Sequence, residues 1–80
     1  MPCKVLVKKS VLKNIAKLAV LIDDLKDGGP VAHRWPNYSK LSEDRYHCHL
    51  ARKWVACWRM EEGTIEIEVY YAGSRENAPY

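Results

Sequence analysis

The stretch that decides the fold is "TIEIEVYYA", Thr64 to Ala72, in which apolar and polar side chains alternate. One side of an extended chain carries Ile65, Ile67, Val69 and Tyr71, and the other carries Glu66, Glu68 and Tyr70. This two-residue period is typical of a β-strand that packs one face on a core and shows the other to solvent or a partner. We therefore expect a strand here, entered through Gly63.

Two further strands are predicted just before it, at "RYHCHL", residues 45–50, and "KWVACWRM", residues 53–60, with a short turn between them. The same alternation directs Tyr46, Cys48 and Leu50 toward the core. Arg45, His47 and His49 then share the opposite face of the sheet. The two imidazoles are therefore expected to lie side by side.

The N-terminal half begins with a short predicted strand, "CKVLVKK", residues 3–9. Ser10 is a suitable N-cap for a helix, and "DGGP" ends the helical pattern with Gly28 as C-cap. Between them, apolar residues recur at steps of three and four: Val11, Ile15, Leu18, Ile22 and Leu25. This pattern predicts one amphipathic helix of about four turns. Residues 30–40 are expected to form a loop because Pro30 and Pro36 interrupt any regular structure.

The order of these elements is β-α-β-β-β, which predicts a single α+β domain over residues 1–80. We expect a largely antiparallel four-stranded sheet with one helix packed on one face. A chain of 80 residues with 48% hydrophobic and 29% charged residues is typical of an ordinary globular domain with a thin core.

Charge and cysteine content exclude several classes of protein. The net charge of +3 indicates no partner by itself, although most of the basic excess lies in the first forty residues. Three cysteines without a CxxC spacing favour reduced thiols in a cytoplasmic protein over a disulfide framework or a zinc site. No apolar run approaches the ~20 residues of a membrane span, and the N-terminus lacks the apolar segment of a secretion signal.

Two segments, "YHCHLARKWVACWR" and "IEIEVYYAGSRENAPY", together resemble the C-terminal half of the RelE/ParE superfamily of bacterial toxins. The likeness is strongest to YafQ-like members, in which a Cys-His-Ile/Leu strand precedes a tryptophan-led strand and a Gly-Ser/Thr-His turn. It extends over residues 35–80 and, more loosely, over the first strand and the helix. The resemblance implies a ribosome-dependent endoribonuclease that cuts mRNA, or in the ParE branch a gyrase inhibitor, held inactive by a cognate antitoxin.

The resemblance also assigns roles to individual residues. His49 matches the histidine that follows the family's cysteine, and Tyr80 lies near the place of a functional C-terminal aromatic residue. Arg75 stands where the family has the histidine of its Gly-Ser/Thr-His turn, which is a departure from the pattern. A second departure is the room for only one helix where the family has two.

A metal-free ribonuclease needs a base for the 2′-hydroxyl proton, a cation near the phosphorus and an acid for the leaving oxygen. His47 and His49 are candidates for either proton role. Arg75 and Tyr80 complete the candidate catalytic set, although a tyrosine with a pKa near 10 is a poor acid. Lys40, Arg45 and Arg59 are the candidate RNA-binding residues.

Each assignment has a structural alternative. His47 suits a polar strand face, the exposed cations suit a solvated surface, and Trp54 and Trp58 suit a packed core better than base stacking. We expect no metal and no cofactor, because Cys48 is predicted to face away from His47 and His49.

Three functions stay open: an mRNA-cleaving toxin, a non-nuclease toxin of the gyrase-inhibiting kind, and an inactive module that only binds an antitoxin. A single helix is little cover for a four-stranded sheet. We therefore also expect either a homodimer or a tight antitoxin complex.

Overall fold

The computed structural model describes residues 3–9, 11, 15, 17–61 and 63–79. Its elements are β1 (Lys4–Val7), α1 (Leu18–Gly28), β2 (Ser39–Lys40), β3 (Arg45–His49), β4 (Trp54–Arg59), β5 (Glu66–Ser74) and a 3₁₀ helix (Arg75–Asn77). The α+β class, a single α-helix in the described part of the chain and the three consecutive C-terminal strands are as predicted. Within the described residues, no helix is long and apolar enough to cross a membrane.

The five strands form one mixed sheet in the order β1-β5-β4-β3-β2. The pairs β2–β3, β3–β4 and β4–β5 are antiparallel, whereas β1 pairs in parallel with β5. The predicted sheet had four strands. The fifth is β2, two residues at the end of the predicted loop that pair with Tyr46 and His47.

A β-bulge between Cys57 and Trp58 changes which side chains of β5 face the core. Cys57 pairs with Tyr71, but the next residue, Trp58, pairs with Val69, so Tyr70 is an extra residue in β5. Beyond the bulge the alternation is reversed. Tyr71, which the pattern placed on the core side, therefore shares a face with Cys57, and Ala72 joins the core instead.

The core lies between one face of the sheet and α1. The helix contributes Leu18, Leu21 and Leu25, each at most 1% exposed. Tyr46, Cys48 and Leu50 of the β3 segment face this core as predicted. The remaining core residues of the sheet are Ala56, Trp58, Ile67, Val69 and Ala72.

The helix is shorter than predicted at its N-terminal end. It begins at Leu18 because Lys17 has a left-handed backbone, with φ 71°, which a continuous α-helix cannot contain. The predicted N-cap, Ser10, lies outside the described residues. Val11 is buried and Ile15 packs against the core, so both reach the core without belonging to α1.

The loop of residues 30–38 covers the part of the sheet that α1 leaves open. The ring of Tyr38 stacks on those of Tyr46 and Trp58, with centroids 6.4 and 6.3 Å away. The indole Nε1 of Trp58 donates a hydrogen bond of 2.8 Å to the carbonyl oxygen of Pro30. Ala32 of the same loop is buried. An irregular segment thus covers part of the sheet that was expected to be hidden by a homodimer or an antitoxin.

Candidate functional site

The two strand histidines lie side by side on the face of the sheet that points away from α1. His47 and His49 are alternate residues of β3, and their ring centroids are 5.9 Å apart in an edge-to-face arrangement. The predicted shared face is therefore confirmed. Their exposure differs, since His47 is only 8% exposed and His49 is half-buried.

The segment from Pro36 to Ser39 holds both imidazoles. The backbone N–H of His49 donates to the carbonyl oxygen of Pro36 at 2.8 Å. The amide nitrogen of Asn37 lies 3.1 Å from Nδ1 of His49, and the hydroxyl of Ser39 lies 2.9 Å from Nδ1 of His47. Both rings are therefore fixed by residues eight to twelve positions earlier in the chain.

Burial decides the charge of His47. Desolvation lowers the pKa of its imidazole, the charge of His49 lowers it further, and a hydrogen bond to the Ser39 backbone opposes both effects. At neutral pH the His47 ring is therefore uncharged. A neutral imidazole can accept a proton, but this ring has little surface from which to reach a substrate.

His49 lines a cavity of about 260 Å³ at the end of β3. Lys17, Asn37 and Arg52 are also among its lining residues. Lys17 immediately precedes α1, and Arg52 lies in the turn between β3 and β4. Three separate segments of the chain thus contribute Lys17, Asn37 and Arg52 to the cavity that His49 lines.

Arg75 lies at the same end of the sheet as His49 but lines a different cavity. That cavity, of about 330 Å³, is bounded by Lys53, Trp54, Ser74, Arg75 and Glu76. The backbone N–H of Arg75 donates to the carbonyl oxygen of Lys53 at 2.8 Å, which fixes the 3₁₀ helix against the start of β4. Two strand spacings, roughly 10 Å, separate β3 from β5.

The two tryptophans of β4 have different environments. Trp58 is fully buried, as a packing role requires, but Trp54 is 38% exposed beside Arg75. Trp54 is the first residue of β4, whereas Trp58 lies further along the strand, where it belongs to the core and stacks against Tyr38. Trp54 is therefore available to stack on a ligand, although packing was the role predicted for it.

The three candidate RNA-binding cations lie away from the His49 cavity. Lys40 pairs with Tyr46 and extends over its ring, 5.7 Å from the centroid, on the α1 side of the sheet. Arg45 lies on the histidine face over the ring of Tyr70, at 5.6 Å. Arg59 forms ion pairs of 3.1 Å with Glu68 and 3.3 Å with Glu61, so much of its charge is neutralised.

The fourth catalytic candidate, Tyr80, lies outside the described residues. The buried thiols are poor nucleophiles, because burial raises the pKa of Cys48 to about 12 and that of Cys57 to about 11. Among the described residues, no group of three or more His, Cys, Asp or Glu side chains is placed to hold a metal ion.

Sequence reasoning missed Lys17, Asn37, Arg52 and Lys53. The basic pair Arg52-Lys53, directly after the histidine strand and before Trp54, is a signal that a search for cations next to His49 could have used. Nothing in the sequence indicates that Lys17 and His49 line one cavity, because 32 positions separate them and only the packing of α1 brings them to it.

No protein-family model matches the sequence, and no curated protein matches it either. Among solved structures, the fold is similar to the solution structure of the conserved hypothetical protein HP0894 from Helicobacter pylori. The two chains are 18% identical and superpose with a TM-score of 0.52 over 92% of this chain and 96% of the other. At this identity the likeness establishes a shared fold only.

Proposed function

We propose that this chain is the toxin of a bacterial toxin–antitoxin pair of the RelE/ParE kind, acting in the cytoplasm as a metal-independent endoribonuclease on ribosome-bound mRNA. The proposal rests on the resemblance of residues 35–80 to that superfamily. The domain-length α+β fold is compatible with it. The cognate antitoxin is the expected protein partner.

One structural observation supports the proposal most: the end of the sheet where β3 and β5 terminate is basic and aromatic. Arg52, Lys53 and Arg75 lie there with the exposed ring of Trp54 and the partly exposed imidazole of His49. Cations that bind phosphates, together with a flat ring on which a base can stack, are the usual components of a site for single-stranded RNA. Glu76 is the one acidic residue among the described residues that line these two cavities.

The chemistry assigned to this end is proton transfer and charge stabilisation around a scissile phosphate. Of the two strand histidines, His49 is the more exposed and takes the proton-transfer role, and His47 supports it from the buried side. Arg52, Lys53 and Arg75 stabilise the negative charge that develops on the phosphate oxygens.

A second function, an antitoxin-binding module without nuclease activity, is favoured by the position of Arg75. The family's histidine is replaced there by a residue that cannot transfer a proton at neutral pH, and its side chain lines a different cavity from His49.

Expression in a bacterial host without an antitoxin tests the proposal. We expect the native chain to arrest growth with cleavage of translated mRNA, and His49→Gln to relieve the arrest at equal protein abundance. His33→Gln is the matched control, since His33 is an exposed histidine in the loop, and it should arrest growth like the native chain.

Two results contradict parts of this assignment. Undiminished arrest by His49→Gln removes His49 from the chemistry. Normal growth with abundant, folded native protein contradicts the toxin function and favours the antitoxin-binding module.

A further inference from the structure

A cavity of about 720 Å³ lies at the end of the sheet opposite His49, between the turn that precedes β3 and the turn that joins β4 to β5. Its lining includes Lys40, Glu43, Asp44, Tyr46, Met60 and Glu61. The backbone N–H of Met60 donates to the carbonyl oxygen of Asp44 at 2.9 Å, so the two turns are fixed to each other. This cavity shares no lining residue with those of His49 and Arg75.

The lining of this cavity carries more negative than positive charge. Glu43, Asp44 and Glu61 contribute three carboxylates, and Lys40 contributes one ammonium group. Glu61 forms an ion pair of 3.3 Å with Arg59, whereas Glu43 and Asp44 form no ion pair with a described residue. Such a surplus of carboxylates favours a cation over a phosphate or another anion.

Tyr46 gives the cavity a polar group that lacks a partner. Its side chain is only 8% exposed, and its ring is stacked on those of Tyr38 and Trp58. Its hydroxyl makes no hydrogen bond with any described residue, although it is not fully enclosed. Buried tyrosine hydroxyls usually have a hydrogen-bond partner. Because Tyr46 lines the cavity, a ligand there can supply that partner.

The side chain of Lys40 shows which kind of group the Tyr46 ring accepts. Its Nζ lies 5.7 Å from the ring centroid, a distance at which an ammonium group is attracted to an aromatic face. Lys40 is exposed and forms no ion pair with a described carboxylate. A cation that also pairs with the carboxylates of the cavity can therefore displace it from the ring.

The edge of the sheet beside the cavity is suited to an extended chain. In the described part of the chain, β2 is the outermost strand on its side of the sheet. The N–H of Leu41 donates to the carbonyl oxygen of Arg45 at 2.7 Å, and Lys40 pairs with Tyr46 in the next position. Hydrogen-bonding direction alternates along an antiparallel pair, so the backbone groups of Lys40 point away from β3. An extended segment can pair with them.

We infer that this cavity is a docking site for an arginine side chain carried by an extended segment of a partner protein. The guanidinium stacks on the ring of Tyr46 in place of the Lys40 ammonium and donates hydrogen bonds to the carboxylates and to the Tyr46 hydroxyl. A planar group with five N–H donors suits such a mixed lining better than an ammonium group does. The inference goes beyond the proposed function, because it concerns the other end of the sheet and a ligand of opposite charge.

Titration of the full chain, labelled with ¹⁵N, with a short peptide tests this inference. The probe is a blocked heptapeptide of alternating threonine and valine with one central arginine, and the matched peptide has neutral citrulline in its place. The backbone resonances of Asp44, Gly63 and Thr64 should move, while those of Arg52 and Arg75 should not. The arginine peptide should bind about fivefold to tenfold more tightly than the citrulline peptide.

Two pairs of substitutions separate the cavity from the overall charge of the protein. Glu43→Gln should weaken binding of the arginine peptide about threefold to fivefold, whereas Asp23→Asn, at an exposed carboxylate of α1, should leave it unchanged. Lys40→Met should strengthen binding because it removes the competing ammonium group. Lys8→Met, which removes the same charge beyond β1 at the opposite edge of the sheet, should not.

Several outcomes overturn the inference. Equal affinities for the two peptides assign binding to the strand edge alone. Equal effects of Glu43→Gln and Asp23→Asn, or of Lys40→Met and Lys8→Met, show general electrostatic attraction. Free spermidine that binds as tightly as the peptide and moves the same resonances assigns the cavity to a small polyamine. Unchanged resonances at millimolar arginine peptide show that the cavity is not a docking site.

Discussion

At the scale of single residues, Gly73 shows how closely the histidine face is packed. Its neighbour two positions earlier, Tyr71, turns its ring along β5 and donates a hydrogen bond of 2.7 Å to the carbonyl oxygen of Ser74. A Cβ atom at position 73 would lie 2.9 Å from the Tyr71 hydroxyl, closer than ordinary contact allows. The glycine is therefore needed for close approach, because the ring occupies the space of its missing side chain.

Gly73→Ala is predicted to lower the free energy of unfolding by about 1–2 kcal/mol, since the tyrosine hydroxyl must leave its hydrogen bond. Urea unfolding of the purified variant measures the loss. In a Tyr71→Phe background, which has no hydroxyl to displace, the same change should cost roughly 0.5–1 kcal/mol less. An equal cost in both backgrounds would show that the backbone, not the hydroxyl contact, requires glycine.

At the scale of elements, the segment of residues 30–40 has two tasks on opposite faces of the sheet. Its first part covers the core with Tyr38, and Ser39, in β2, pairs with His47 and bonds to its ring on the other face. Backbone pairing alone gives a strand of two residues little stability. The uncharged state of His47 is therefore tied to the attachment of β2 to β3.

The free energy of unfolding should depend on pH through His47. The pKa of His47 lies below its ordinary value of 6.5 in the folded chain, so the unfolded chain binds the proton more readily. Stability is then fully present above pH 6.5 and declines as the pH falls from there toward the lowered pKa. Urea unfolding near pH 7.5 and near pH 5.5 should show a smaller decline in His47→Gln than in the native chain. Identical declines would assign the effect to other groups.

At the scale of the whole molecule, α1 and the loop together cover one face of the sheet. A homodimer or a tight antitoxin complex was predicted because one helix is little cover for the sheet, but the ring of Tyr38 stacks over those of Tyr46 and Trp58 and covers part of it. Among the described residues, the large exposed apolar side chains are Leu6, Val20, Val31, Trp54 and Ile65. These residues come from separate segments, so the physical reason for a dimer is weakened.

We therefore expect the isolated chain to sediment as a monomer at micromolar concentration. Tyr38→Ala, which uncovers the stacked rings of Tyr46 and Trp58, should bind more apolar dye and begin to associate. Val20→Ala, a change to an exposed apolar residue of α1, is the control and should do neither. A dimer of the native chain at this concentration would contradict this prediction and support the homodimer.

The sequence by itself determined four of the five strands, the presence of the helix and the faces of β3. Alternation in residues 45–50 and 64–69 depends only on the two-residue repeat of an extended chain, so the core positions of Tyr46, Cys48 and Ile67 and the pairing of His47 with His49 on one face were predictable. The same local reasoning predicted a helix from Ser10 to Gly28, which includes the observed helix of residues 18–28.

Tertiary structure decided the parts that depend on contacts between distant segments. The bulge at Cys57/Trp58 moved Tyr71 to the histidine face, which no repeat within β5 could indicate. The environment of His49 was decided in the same way, because Asn37 contacts its ring and Lys17 lines the same cavity only when the loop and α1 pack against the sheet. The two-residue period indicates only on which face of its own strand a side chain lies. The packing of distant segments against one another determines which residues that side chain contacts.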